Sequence, residues 1–580
     1  APLSHADALE MIDGIRSRSL IGAFRGESAV DRQALLRTLM GLSAVAADFP
    51  EIAEIDLNPL IATPGGDLKA VDALITLARP DRPPTDLHAV PPSAIRSLFY
   101  PRSVAFVGAS SQMGKWGHML ICNTISGGYR GDVYAVNPKG GTIAGRPAYR
   151  SINEIPGKVD LAVVTVPAAG VMDLIPQLKA KQIDSVVLVT SGFGETGPAG
   201  KQLEAQLVEA ARQAGIHILG PNTMGICNPH IHFFCMGTSV SPLPGSTAVV
   251  AQSGNMGTQL LAYAEKQGIG IRAFSGSGNE AMITIEDYME GFEVDDLTHT
   301  VMLYVESVKH GRRFYESARR VSLKKPIVLL KGGQTDAGNR AASSHTGAMA
   351  SNSRVFDAVC RQAGIVKVDQ PMELLDLSAA FSSLPLPEGN RMAIMTLGGG
   401  WGVVTADLCS RFGLRVPKLT PDLIDSIDRI LPPYWSRSNP IDLVGENDPA
   451  IPLTVMQALL EWDGCDAVIN LGILGRRIFL RRLADSVQKA DPSYTRDVLD
   501  QAVGVFDDFE RAYIRRIVGL MERYRKPVFG VSLLAGEKDT TVYPVEGHEL
   551  KSVFYETPER AVKAAARMVE YRQYRSRNTG

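Results

Sequence analysis

The chain has 580 residues, too many for one hydrophobic core, and at roughly 150 residues per domain it predicts about four. Its 60 basic and 62 acidic residues nearly balance, and no dense basic patch offers a surface to nucleic acid or to an anionic membrane, so neither is an expected partner. Six scattered cysteines without a CxxC pair argue against a zinc site or a disulfide framework, and with no membrane-length apolar run and no signal-peptide pattern they fit a cytoplasmic protein.

Residues 1–80 predict a small α+β unit. A helical pattern opens after Ser4, with Ser4 or Asp7 as its cap. The stretch EIDLNPLIATPGGDLKAVDALITL predicts two short strands joined by a Gly-Gly turn. Asp56 and Asn58 alternate with Ile55 and Leu57, so both lie on one strand face, and the hairpin can return Asp72 to it. Oxygen ligands gathered in this way suit Mg²⁺, which completes its shell with water and phosphate. The alternative is a polar face turned to solvent. The first residue is Ala rather than Met, which leads us to expect an N-terminal segment in a longer or separately encoded protein.

A linker containing Pro80, Pro83, Pro84, Pro91 and Pro92 marks a boundary, and strand–turn–helix units follow it. Strands at 103–107, 133–136, 161–166, 185–189 and 216–219 predict a parallel, doubly wound sheet. The first turn, VGASSQMGKWG, places Gly108 and Gly114 where a phosphate meets a helix N-terminus. It is not the G-x-G-x-x-G fingerprint, and the second strand runs into Asn137-Pro138-Lys139, where an NAD site needs an acid. A lysine there suits a further phosphate, so a phosphorylated, nucleotide-like cofactor other than NAD is expected. A solvated turn lysine is the alternative.

A second unit runs over 236–382, with strands near 247–251, 271–274, 301–305 and 327–330. The first of these leads into Gln252-Ser253-Gly254-Asn255-Met256-Gly257, a phosphate cradle at a helix start. Glu306 closes the third strand at the ligand edge of a parallel sheet. The fourth leads into KGGQTDAGNRAASSHTGAMA, a loop of small residues that leaves the imidazole of His345 open to a reactant. A carboxylate nearby would orient such a nucleophile. A histidine merely bonded to its loop neighbours is the alternative.

A third unit spans 388–562, with strands at 392–396, 467–470 and 528–531. Its first turn, Leu397 to Gly402, again sets a glycine-rich loop, with Gly399 and Gly400, before a helix. A charged helical insertion lies between Gly475 and Arg525, and a basic amphipathic helix over 558–575 is expected to dock rather than bind membrane. The run His230-Ile231-His232-Phe233-Phe234 suggests a pocket for a larger or aryl ligand, with core packing as the alternative.

These motifs, in this order, resemble the NDP-forming (ADP-forming) acyl-CoA synthetases, relatives of succinyl-CoA synthetase and ADP-forming acetate–CoA ligase. SSHTGAMA resembles the family's phosphohistidine loop, which implies His345 as the phosphorylated residue and Glu306 as the glutamate that steadies it. GASSQMGKWG and AVNPKGG resemble the CoA-binding signature, which implies contacts from Gly108, Ser110, Gly114 and Lys139. The loops bearing Ser253, Gly254 and Asn255 and bearing Gly399 and Gly400 resemble the two phosphate-binding helix starts. GPNTMGICNP is similar to GPNCxGxxNP, with Thr223 in place of Cys. The first 80 residues resemble the carboxyl end of an ATP-grasp domain, which implies Mg²⁺ ligands at Asn58 and Asp72 and an assisting acid at Asp56. The front of that domain, with its adenine pocket and phosphate-binding lysine, has no match in the chain.

The resemblance implies an α/β architecture: a partial ATP-grasp α+β subdomain (1–80), a linker (81–94), a Rossmann-like CoA-binding domain (95–229) and two flavodoxin-like doubly wound domains (230–384 and 385–580). It implies CoA, ATP/ADP, Mg²⁺ and phosphate as cofactors and a small carboxylic acid as substrate. A homo-oligomer such as a dimer, or association with the missing ATP-grasp segment, is expected. The rival functions are a CoA- or acyl-CoA-binding regulatory module without turnover, and a lyase acting through an acyl-CoA intermediate on the same scaffold. An NAD dehydrogenase is disfavoured by Lys139 and the absent fingerprint.

Overall fold

A computed structural model describes residues 2–16, 21–23, 29–49, 51–77, 89–338, 340, 353–444, 448, 450–475, 477–491, 493–533, 536 and 539–579. They form two compact units, 1–89 and 90–580. Among the described residues no helix is long and apolar enough to cross a membrane.

In the first unit the helix His5–Asp13 starts on a reciprocal cap, in which Ser4 and Asp7 satisfy each other's backbone N–H groups. The expected two strands are four: β1 (Ile52–Leu57), β2 (Leu60–Ala62), β3 (Leu68–Ala70) and β4 (Ala73–Leu77). β1 pairs with β4 and β2 with β3, so one long hairpin is interrupted on both arms, at Asn58–Pro59 and at Val71–Asp72. The physical cause is Pro59, which has no N–H to give to the ladder. The buried core is small, with Ala8, Ile12 and Leu36 at its centre.

The second unit holds three sheets. The first contains β5 (Ser103–Val107), β6 (Asp132–Val136), β7 (Thr142–Ile143), β8 (Arg146–Tyr149), β9 (Leu161–Val164), β10 (Ser185–Leu188) and β11 (His217–Leu219), in the order β11-β10-β9-β5-β6-β8-β7. All but β7 run parallel, and β5, β9 and β10 are buried along their whole length, as helices on both faces require. The second sheet contains β12 (Gly225–Asn228), β13 (Phe233–Met236), β14 (Pro244–Ala251), β15 (Ile271–Gly276), β16 (Thr300–Val305), β17 (Ile327–Lys331) and β18 (Val366–Val368). Their order is β13-β12-β15-β14-β16-β17-β18. The third contains β19 (Met392–Thr396), β20 (Ile441–Asp442), β21 (Ala467–Leu471), β22 (Val528–Val531), β23 (Val542–Tyr543) and β24 (Ser552–Tyr555), in the order β20-β19-β21-β22-β24-β23.

Residues 225–228, counted with the CoA-binding segment, pair antiparallel with β15 and so belong to the second sheet. The expected linker 81–94 gives way at Pro92 to a helix, Pro92–Phe99, because proline suits the first helical turn. Phe233 and Phe234 follow the core-packing alternative: β13 is covered on both faces and each ring is buried in a different apolar cluster. The carboxyl-terminal helix Pro558–Asn578 docks as expected. Its Ala561, Val562 and Ala565 are buried, and the Tyr571 hydroxyl donates to the Ser322 carbonyl at 2.8 Å.

Candidate functional site

Each sheet changes winding direction once. The chain leaves β5 toward β6 and leaves β9 toward β10, so the two neighbours send their connections to opposite sides. The same holds for β14 and β16, and for β19 and β21. A crevice opens at the carboxyl end of such a pair because the two loops diverge. All three glycine-rich loops sit at these ends.

At β5, Gly108 adopts φ +90°, and a Cβ there would lie 2.9 Å from the Val166 backbone nitrogen. Asn137, after β6, donates from its side chain to the Ala109 carbonyl at 2.7 Å and accepts from the Lys139 N–H at 2.9 Å. One side chain thereby holds Lys139 beside the loop that carries Ser110, whose hydroxyl accepts from the Gln112 N–H at 3.0 Å. Gly114 is at φ +84° in open space. The helix Trp116–Ser126 begins with no side-chain cap, which leaves its first turn fit for an anion.

The sequence singled out Gly108 and Gly114 but missed Gly117. A Cβ on Gly117 would stand 2.3 Å from the Gly108 carbonyl oxygen and 2.9 Å from the Thr165 hydroxyl. Gly117→Ala is therefore expected to push helix and loop apart, at a cost of about 1–3 kcal/mol in stability. Denaturant midpoints check this, and a wild-type midpoint would refute it.

At β14, the helix Gly254–Lys266 starts from an extended Ser253 with no side-chain cap. A Cβ on Gly254 would meet the Met224 side chain at 2.0 Å, so this helix start is packed against the turn after Gly220. In that turn Thr223 donates to the Gly276 carbonyl and accepts from the Gly225 N–H. Asn255 is exposed.

Glu306 follows β16 directly. Its backbone is gripped by Gln252, whose Oε1 accepts from the N–H of Glu306 at 2.6 Å and of Ser307 at 2.9 Å. The Tyr304 hydroxyl donates to the Glu306 carboxylate at 3.2 Å, and burial, then that carboxylate, raises the phenol. Lys331, at the end of β17, donates to the Glu306 carbonyl at 2.7 Å, and burial lowers its ammonium. His345 lies outside the described residues. β17, which leads toward it, pairs with β16 in register from Val301↔Ile327 to Val305↔Lys331.

At β19, Gly398 caps the helix Gly399–Arg411 from an extended conformation without a side-chain bond. Gly399 and Gly400 are exposed, and a Cβ on Gly399 would touch Asp442 at 3.0 Å. In the first unit, Asp56, Asn58 and Asp72 are all exposed. The Asn58 N–H donates to the Asp72 carbonyl at 3.2 Å, and one Asp72 carboxylate oxygen accepts from the Ala73 N–H at 2.8 Å. Among the described residues no cluster of three or more His, Cys, Asp or Glu forms a metal site. The oxygen set here fits only an ion that takes its remaining ligands from water or phosphate. Sequence reading also missed Gln252 as a clamp and Glu280, buried in the loop after β15; an acid inside the Gly-rich GSGNEA run was the available signal.

Comparison with known proteins matches four family models: an ATP-grasp domain over 1–77, a CoA binding domain over 102–229, a succinyl-CoA ligase-like flavodoxin domain over 244–381 and a ligase-CoA domain over 392–476. Subunit alpha of ADP-forming acetate–CoA ligase I from Pyrococcus furiosus is 39% identical over 365 residues, 61% of this chain and 78% of that one. ADP-forming acetate–CoA ligase II from Archaeoglobus fulgidus is 35% identical over 478 residues, 81% of this chain and 69% of that one. Among solved structures, acetyl-coenzyme A synthetase 1 of Ca. Korarchaeum cryptofilum, in complex with phosphate and ADP, superposes with a TM-score of 0.70 at 29% identity, covering 84% of this chain and 99% of that one. With this identity spread over the greater part of both ligases, and the same domains in it, the chain belongs to the ADP-forming acyl-CoA synthetases, an acid–thiol ligase family.

Proposed function

We propose that the chain makes an acyl-CoA from a small carboxylic acid, CoA and ATP, through an acyl phosphate and a phosphohistidine on His345. The observation that carries this reading is the grip of Gln252 on Glu306, at the switch point beside the strand that runs into the histidine loop. A carboxylate there would accept an imidazole N–H and leave the other ring nitrogen a nucleophile. In the thermodynamically coupled sequence, the imidazole attacks the γ-phosphorus of ATP and ADP leaves. A substrate carboxylate then attacks the phosphorus of phosphohistidine, the N–P bond breaks, and the acyl phosphate forms. Finally the CoA thiol attacks the acyl carbon, the C–O bond to phosphate breaks, and the thiol proton ends on the departing phosphate. The uncapped helix starts at Gly254 and Gly399 offer backbone N–H groups to the phosphoryl oxygens. Gly108, Ser110, Gly114 and Lys139 would hold CoA. Asn58 and Asp72 would hold Mg²⁺, which neutralises nucleotide phosphate charge, with Asp56 assisting phosphorylation of His345.

Full-length protein incubated with a panel of acyl-CoAs and labelled phosphate tests the reading by running the last two steps backward. Acid-labile label on the protein is expected. A non-catalytic CoA-binding module would bind acyl-CoA and take none, and that result would overturn the proposal.

The reading includes a partner for the first unit. Val71, Leu74, Ile75 and Leu77 are each more than half exposed there, above a very small core. A two-stranded ribbon with so little buried area is marginal by itself. We expect the front part of an ATP-grasp domain to cover it. In the chain alone, amides of β1 and β4 should then exchange with solvent at least about 100-fold faster than those of β14 and β16. Equal protection would count against a missing cover.

A further inference from the structure

The chain leaves β16 through Tyr304-Val305-Glu306, so the tyrosine and the glutamate project on the same side at the carboxyl end of the sheet. The parallel neighbour β17 sets Leu330 beside Tyr304 and Lys331 beside Val305. The next residue, Gly332, donates its N–H to the Val305 carbonyl at 2.9 Å, which presses the chain beyond β17 against both side chains. A Cβ on Gly332 would lie 2.8 Å from the Tyr304 hydroxyl oxygen and 3.3 Å from the Glu306 Cγ. A residue without a side chain therefore leaves the phenol room to reach the glutamate.

Tyr304 is held at both ends. Its carbonyl accepts from the Gln252 N–H at 3.1 Å, and its half-buried ring packs against the apolar core. Its hydroxyl donates to the Glu306 carboxylate at 3.2 Å. Gln252 and the Lys331 ammonium fix the backbone of Glu306, but a glutamate side chain turns about several torsions that a backbone bond does not set. A packed aromatic ring has little such freedom, so the phenol oxygen has a defined place. Burial, then the Glu306 carboxylate, push the phenol up, and it stays a donor across the working range of pH.

We propose that Tyr304 is a positioning residue for phosphoryl transfer, its hydroxyl holding one oxygen of Glu306 so that this carboxylate meets the imidazole N–H in a single orientation. The inference rests on the phosphohistidine reading above. The phenol loses no proton in any step; it donates the same hydrogen bond before and after the histidine is phosphorylated. Without the hydroxyl the carboxylate still accepts, but from more than one orientation, and fewer of these put the other ring nitrogen in line with phosphorus. The phenol thus acts only through Glu306. An effect carried by one partner vanishes when that partner is removed, whereas an effect on packing persists.

The test uses the acyl-CoA panel and labelled phosphate on four full-length proteins: wild type, Tyr304→Phe, Glu306→Ala and the double variant. Tyr304→Phe keeps the ring in the core and should label about 5–10-fold more slowly than wild type at saturating acyl-CoA, with KM for acyl-CoA unchanged. Read over longer times in the Glu306→Ala background, the same substitution should change the rate less than about 2-fold. Should Tyr304→Phe fold poorly in thermal melting, Gly332→Ala serves instead. Its methyl group should displace the hydroxyl and slow labelling where Glu306 is present, but not beside Glu306→Ala. A Tyr304→Phe rate equal to wild type, or equal slowing with and without Glu306, would overturn the proposal alone. No label on the wild-type protein would overturn the phosphohistidine reading and this inference with it.

Discussion

Replacing His345 by alanine is expected to remove all acid-labile label and to lower acyl-CoA synthesis by at least about 10³-fold. A carboxylate oxygen is a poor leaving group, so the acid must be activated, and in the proposed scheme every phosphoryl group passes through this one imidazole. An alanine offers no nucleophile, and water in its place would only hydrolyse the phosphoryl donor. Glu306→Gln should be milder, roughly 10–100-fold, because it alters orientation and charge at the imidazole while leaving the nucleophile present. The ordering of the two variants is itself informative. Equal labelling of wild type and His345→Ala would show that the label sits elsewhere and would end the phosphohistidine reading. An effect of Glu306→Gln larger than that of His345→Ala would instead make Glu306 the group attacked.

The largest expected effect on stability is that of Arg560→Met. Asp376 lies in the helix Pro371–Phe381 under the second sheet, and Arg560 lies in the carboxyl-terminal helix. The guanidinium donates to this carboxylate from Nε at 2.9 Å and from Nη2 at 2.6 Å. Asp376 is 4% exposed, and burial raises its carboxyl even though Arg560 acts to lower it. Removing the arginine leaves a buried carboxylate without its counter-ion, which costs about 3–5 kcal/mol. The sign of the pH dependence follows. A carboxyl whose folded-state pKa is raised contributes stability that is present below its unfolded pKa and is lost as pH rises through the folded one. The variant should therefore be closest to wild type in acid and furthest from it at pH 8, as read from denaturant midpoints. Asp376→Leu combined with Arg560→Met should recover most of the loss, since apolar side chains of similar volume carry no desolvation cost. A single variant as stable as wild type at pH 8 would show that water reaches this carboxylate.

How much of this was legible in the residues varied with the range of the interaction concerned. Ser103–Val107, Met392–Thr396 and Val528–Val531 are strands with the bounds that their apolar runs imply, because a strand buried on both faces needs little beyond a short β-branched or apolar run. The cap at Ser4, one of the two candidates, was equally local. The short edge strands were not legible. Thr142–Ile143, Ile441–Asp442 and Val542–Tyr543 have two residues each, and a run that short carries no periodicity. Phe233 and Phe234 were ambiguous for a different reason: an aromatic pair is equally suited to a pocket wall and to a core, and only the covering of β13 on both faces decides it.

The amino-acid sequence by itself determined the three glycine-loop-then-helix modules, the acid that closes β16, the lysine after β6 and the run of small residues around His345 in the chain beyond β17. These are short patterns, and backbone freedom and side-chain chemistry at neighbouring positions are enough to define them. Only the tertiary structure decided where they lie relative to one another. Strand order put Gly108, Gln252 and Gly398 each at a place where the sheet changes winding direction, and strand order is a long-range property that no local run encodes. The fold likewise brought Gln252 to Glu306, 54 residues away. A glutamate on a flexible loop would have the same chemistry without a fixed direction. The physical reason is that parallel neighbours such as β14 and β16 hold their carboxyl ends side by side, so residues distant in the chain become a single rigid edge.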